Sequence, residues 1–279
     1  MEIKPFKIRA SQLSKIMGKP RDSGGLTDTQ AKNLATLEAK EKRTEKQEQT
    51  MLELIAKRDK PEGLSAGAKT YVQGCLKEQL YGRRKEISSK YTQKGNEQED
   101  ASIHLLNMYL LESYEKNEEY RENTEIGICG TPDIVAPDLI RDIKTSWDFS
   151  TFPLFETSLN QDYYYQAQAY MILFDCNHAS VDYCLVNTPD YLIEKEAHSL
   201  ARDKQISFLE ALQHVVPLHI YDETERWNKE DFPNIKTDIP LNLRVKSFSV
   251  VRDPKLENRI EQKVKLCRED EKELLEGVK

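Results

Sequence analysis

The sequence is poor in the features that mark membrane, secreted and metal–thiolate proteins. No apolar run in its 279 residues approaches the ~18–20 that a bilayer-spanning helix needs, and the mean hydropathy is −0.71, so no membrane association is expected. The Met-Glu-Ile-Lys opening has no apolar signal-peptide core, and a cytoplasmic location follows as an expectation. Five cysteines, Cys75, Cys129, Cys176, Cys184 and Cys267, are odd in number, dispersed and without a C-x-x-C. They suggest neither a disulfide framework nor a zinc or iron–sulfur cage. His214 and His219 are separated by Pro217 at a spacing that does not share a helical face, which argues against a zinc pair. Gly18-Lys19-Pro20 lacks the preceding glycine and following Ser/Thr of a P-loop, so no ATP site is expected. No internal repeat or low-complexity tract is present.

What is present is charge, unevenly placed. With 38% hydrophobic and 32% charged residues, the chain describes a folded protein of one large or two small domains. A net charge of −7 argues against indiscriminate coating of nucleic acid. Yet residues 1–95 hold 21 Lys+Arg against 12 Asp+Glu, and the remainder holds 20 against 36. Alternating Lys and Glu between Lys40 and Lys60 reads as solvated helix surface. The runs Lys4–Arg9 and Arg83-Arg84-Lys85 are better candidates for phosphate contacts.

Periodicity divides the chain into elements. Ser11 is placed as the N-cap of a short helix with Leu13, Ile16 and Met17 on its apolar side. Residues 26–84, rich in Ala, Lys, Glu and Gln and broken at Pro61 and Gly63, read as an antiparallel helical arm or insert. A longer helix from Gly95 sets Glu99, Ile103, Leu106 and Leu110 on one face. Glu125–Ser146 holds two β-rich runs around Ala136-Pro137-Asp138-Leu139, a turn sequence. A Tyr-rich helix (162–174), a strand (181–188), a helix (192–215), a strand-like run (243–251) and a charged helix from Pro254 follow. The expectation is one α/β (α+β) domain over residues 1–279, with a small central mixed sheet flanked by helices and an arm at about 26–84.

The hairpin carries the chemistry. With its turn centred between Pro137 and Asp138, Asp133 falls opposite Asp142, with Cβ atoms ~4.5–5.5 Å apart. Two carboxylates so placed repel unless a cation lies between them or one is protonated. Asp142 and Lys144 point to one face while Ile143 points to the other. Glu99, on the stripe that must pack against the sheet, supplies a third acid. Glu97 and Asp100 flank it and are its competitors for that role. Oxygen-only ligation favours Mg²⁺ or Mn²⁺, and Lys144 is placed to orient water or stabilise a pentacoordinate transition state. Gln166 and Tyr170, at i and i+4, can hydrogen-bond the Lys144 region or a phosphate. Each has a plainer reading: a turn acid and a strand salt bridge for Asp133, Asp142 and Lys144, helix packing for Gln166 and Tyr170, and a bare N-cap for Ser11.

Gly95-x-x-x-Glu99, Gly130-Thr-Pro-Asp133, Asp142-Ile-Lys144 and Gln166-x-x-x-Tyr170, in that order, resemble the PD-(D/E)xK nucleases, and in particular the YqaJ/lambda-exonuclease-like viral recombinases. Arg9-Ala-Ser11 is similar to the start of that family. The likeness spans residues 5–18 and 90–175 and leaves the arm unexplained. It implies a restriction-endonuclease-like core and Mg²⁺-dependent 5′→3′ degradation of linear double-stranded DNA in phage or prophage recombination. It also implies a ring-shaped homo-oligomer, a trimer among its forms, working with a single-strand annealing protein in the cytoplasm of a bacterial host. Carried over by position, Glu99, Asp133, Asp142 and the Ile143 carbonyl bind metal, Lys144 serves the water, and Ser11 with Arg9 holds the terminal 5′ phosphate. Arg9 lies closer to Ser11 than the family pattern has it, and the first acid of the D-x-K element is Asp where many relatives carry Glu. The competing functions are an endonuclease of the same superfamily in repair or restriction, and a non-catalytic DNA-end-binding recombination protein. The iron–sulfur branch of the superfamily is disfavoured by the absence of its cysteine cluster.

Overall fold

The computed structural model describes residues 3–20, 26–60, 63–85 and 88–278. The chain divides into two compact units. The first comprises residues 1–8, 12–83 and 258–279, the second residues 9–11 and 84–257.

In the first unit, α1 (Ser14–Met17), α2 (Asp28–Glu38), α3 (Glu45–Asp59) and α4 (Ala66–Tyr81) follow the end of a two-residue strand, β1 (Ile8–Arg9). The helices start where the sequence supplies caps. Thr27 and Thr44 form capping boxes with Gln30 and Gln47, and Ser65 caps α4 by accepting from the Ala68 N–H. Leu34, Leu37, Met51 and Leu54 join α2 to α3 in a small core of their own. The expected arm stops there, because α4 packs on α1 and buries Ala68, Val72 and Leu76. The break expected at Pro61 lies outside the described residues. Ser11 is not an N-cap: it sits in a 3₁₀ turn (Ala10–Gln12), and Leu13 precedes α1 without a side-chain cap. Leu13, Ile16 and Met17 are buried as their spacing predicts. The C-terminal helix closes this unit with side chain–backbone bonds: Glu271 accepts from the Phe6 N–H at 2.7 Å, and Arg268 donates to the Phe6 carbonyl at 3.1 Å.

In the second unit, α5 (Lys90–Glu97) and α6 (Glu99–Leu110) replace the single helix expected from Gly95, separated at Gln98. Next come β2 (Arg121–Asn123), β3 (Ile128–Gly130), β4 (Ile134–Ala136) and β5 (Leu139–Thr145). The first β-rich run is thus split between two sheets: β3 pairs with β2, while β4 pairs with β5. Pro132, between them, has no N–H to continue a ladder. The β4–β5 register is the expected one, Ile134↔Arg141, Val135↔Ile140 and Ala136↔Leu139, closed by a two-residue turn in which Asp138 has φ +51°.

α7 (Gln161–Phe174) crosses over to β6 (His178–Cys184), which lies parallel to β5. The helix expected over 192–215 is two, α8 (Asp190–Lys204) and α9 (Phe208–His219), broken at Gln205 in the left-handed region. β7 (Val245–Val251) completes the sheet order β4-β5-β6-β7, and α10 (Pro254–Val278) ends the chain. α6 and α7 both contact β5, β6 and β7. Ile143 packs with Ile103 and Leu106 of α6, so Asp142 and Lys144, alternating with it, face α7.

Candidate active site

Because helices cover both faces of β5, Asp142 and Lys144 are drawn out of water. Asp142 is 2% exposed, and its Oδ2 lies 2.7 Å from Lys144 Nζ. Gln166 on α7 bridges this pair. Its Oε1 accepts from Lys144 Nζ at 3.2 Å, and its Nε2 donates to Asp142 Oδ1 and to the Tyr170 hydroxyl, each at 3.1 Å. Asp133 stands just beyond the last β4–β5 pair, in line with Asp142, and its Oδ2 accepts the Ile143 N–H at 2.5 Å. Glu99, the first residue of α6, pairs with Lys116 at 3.0 Å. Glu97 instead accepts from Tyr191, and Asp100 is largely exposed. Glu99, Asp133, Asp142, Ile143, Lys144, Gln166 and Tyr170 all line one cleft of about 510 Å³.

The electrostatics follow from that crowding. Burial, then the charge of Asp142, pushes the Asp133 carboxyl up to about 7. Burial likewise raises Asp142, against the pull of Lys144. Burial works against the charge of Lys144, but Asp142, followed by Asp133, outweighs it and the ammonium is held above its ordinary range. Among the described residues no three His, Cys, Asp or Glu side chains are gathered into a ready metal cage. The three acids share the cleft while each faces its own donor. Their chemistry fits a hard cation all the same, since they are oxygen donors whose charges oppose one another, with Asp133 and Asp142 both raised by burial.

Arg9 and Ser11 are exposed and stand outside the lining of the cleft. Ala10 between them lies by Gly130, next to the cleft residue Tyr170: a Cβ built on Gly130 would lie 2.8 Å from Tyr170 Cε1 and 3.2 Å from Ala10 Cβ. Glycine at 130 is therefore what lets Tyr170 close over β3.

Neither protein-family profiles nor curated proteins match this sequence. Solved structures do. A phage-related exonuclease from Haemophilus somnus 129PT is 25% identical, with a TM-score of 0.64 over 99% of this chain and 98% of its own. The alkaline exonuclease LHK-Exo from Laribacter hongkongensis shares the fold at 14% identity, TM-score 0.52, over 98% of this chain and 91% of its own. Its complex with dAMP gives 15% and 0.51. Along nearly its whole length the chain is thus similar to a phage-related exonuclease, in keeping with the resemblance that its motifs carry. Its fold class is the mixed α/β nuclease fold of these neighbours.

Three features in or beside this cleft escape a reading of the sequence. Tyr163 lays its ring 4.6 Å from the Lys144 ammonium; its place three residues before Gln166, on the same helical face, was an available signal. Tyr183 on β6 lines the cleft beside it. Lys94 on α5 is fully buried, and its Nζ donates to the carbonyls of Trp147 and Val186, both at 2.8 Å. Those carbonyls follow β5 and β6, so the lysine ties together the strand ends at which the cleft residues Ser146 and Trp147 begin.

Proposed function

We propose that the protein is a divalent-metal-dependent 5′→3′ exonuclease on the ends of linear double-stranded DNA, serving phage or prophage recombination. One observation carries the reading. β5 presents Asp142 and Lys144, ion-paired at 2.7 Å, to a cleft that Asp133 and Glu99 also line. The likeness to a phage-related exonuclease along nearly the whole of both chains supports it.

Glu99, Asp133, Asp142 and the Ile143 carbonyl would hold Mg²⁺ or Mn²⁺, the ions that an all-oxygen donor set favours. When bound, such an ion lowers the pKa of water and neutralises phosphate charge. Lys144, kept cationic by Asp142 and Asp133, would orient the attacking water and balance charge developing on the phosphoryl oxygens. Gln166 holds lysine and aspartate in one geometry, so neither must reorganise during the reaction. Arg9 and Ser11 would receive the terminal 5′ phosphate. A ring-shaped homo-oligomer and a single-strand annealing partner belong to the same proposal.

Linear and covalently closed duplexes incubated with Mg²⁺ test it. The expected result is loss of linear DNA alone, abolished by chelation and by Asp142→Asn. Equal cutting of closed circles would make the protein an endonuclease of the same superfamily, and tight binding of ends without hydrolysis in either ion would make it a non-catalytic end-binding protein.

A further inference from the structure

Beyond the cleft, the face of the sheet that carries Lys144 continues across β6 to β7. Lys144, Tyr183 and Lys246 are direct register partners on β5, β6 and β7, so their side chains leave the same face in one row, with the two lysines ~10 Å apart across two strand spacings. One row down, Asp142, Val181 and Phe248 are partnered in the same way. Aromatic rings fill the space between the lysines. Tyr163 lies against Tyr183 at 6.0 Å, Tyr183 against Phe248 at 5.9 Å, and Lys246 Nζ stands 5.5 Å from the Phe248 ring. Lys246 is half-buried, and among the described residues no carboxylate lies within ion-pair distance of it. Burial, then the neighbouring Tyr163, Asp142 and Glu156, keeps the Tyr183 hydroxyl protonated and so able to donate.

α7 gives this row a direction. Tyr163, Gln166 and Tyr170 share one helical face, with Gly130 and Ala10 near the Tyr170 end and Tyr183, the register partner of Lys246, against the Tyr163 end. If Arg9 and Ser11 receive the 5′ phosphate, the strand runs along this face from Tyr170 past Lys144 towards β7.

We infer that Lys246, seated on Phe248 beside Tyr183, is a phosphate-binding subsite for the hydrolysed strand on the 3′ side of the scissile bond. The inference rests on the nuclease reading and deepens it. A compact ammonium on an aromatic base suits a phosphodiester approached from solvent, and the Tyr183 hydroxyl supplies a neutral donor next to it.

The test is binding of a 5′-phosphorylated duplex in Ca²⁺ across a salt series, with one neutral methylphosphonate linkage walked along the 3′ side. Lys246→Met should weaken binding ~5-fold, lower the salt slope by about one, and erase the penalty that one particular linkage carries in the wild type. Lys246→Arg should retain all three properties. Wild-type affinity, slope and linkage sensitivity in Lys246→Met, while Lys144→Met still abolishes hydrolysis, would overturn the inference and leave the nuclease reading standing. A wild type that neither binds nor degrades ends would overturn both.

Discussion

The α2–α3 pair and the cleft are built from the same charged residue types and use them in opposite ways. On α2, α3 and the loop between them, Arg58 meets Glu38 and Asp59, and Arg43 meets Glu48, with every one of these side chains but Arg43 about half in water. Such pairs are screened and interchangeable. In the cleft unit, Asp142, Asp182 and Lys94 are buried among strands and helices, and Lys144 is mostly so, so that each of these polar groups depends on a few fixed partners. Residue type alone therefore says little about what a charge contributes; its desolvation and its partners decide.

The sharpest way to test that contrast is Lys144→Met. It removes the cation beside Asp142 and should lower hydrolysis of linear duplex by ~10³-fold in a single-turnover assay, with end binding in Ca²⁺ retained. Next in size is Asp182→Ala. Asp182 is fully buried and accepts from Arg141 Nη1 at 2.8 Å and from the Ser180 hydroxyl at 2.8 Å. Removing it strands the guanidinium and should cost ~3–5 kcal/mol in chemical denaturation.

How much of this was legible beforehand varied with the physics involved. The β4–β5 register could be read because a two-residue turn leaves one alignment, and that alignment brings Asp133 level with Asp142. The helix breaks at Gln98 and Gln205 could not be read, since a glutamine marks both, one of them left-handed, where glycine is the usual sign. The split of residues 26–84 between a helix pair and α4 was hidden because α4 finds its partner in α1, far away in sequence. The acids and lysine of the cleft stood out as a pattern of residue types. Lys94 did not, because its two partners are backbone carbonyls that carry no side-chain signature.

Lys94 also gives the contrast a pH dependence. Burial lowers its amine from 10.5 to about 7, and its two carbonyl acceptors match the two N–H groups of the neutral form. Between pH 7 and 10.5 the unfolded chain holds a proton there that the folded chain does not. Stability should therefore rise with pH across this window, by up to ~1.4 kcal/mol per unit from this residue, and level off below it. Urea titrations of wild type and Lys94→Met at several pH values isolate the contribution: the variant should lack that slope, and parallel curves would refute the assignment. The smallest effect belongs to Arg58→Ala on α3, which should leave the urea midpoint at moderate salt essentially where it is in the wild type. A cost comparable to that of Asp182→Ala would erase the distinction between the two regions.

The two-residue turn at Pro137-Asp138 has a consequence for how this chain can change over time. Asp138 accepts from the Asn177 N–H at 2.7 Å just before β6, so one aspartate anchors the hairpin and the start of the neighbouring strand. Adding or deleting a single residue there would rotate β5 by half a pleat, turning Asp142 and Lys144 towards α6 and offering Arg141 and Ile143 to the cleft. Length variation among descendants of this sequence should accumulate in other connections, while this corner keeps a constant residue count.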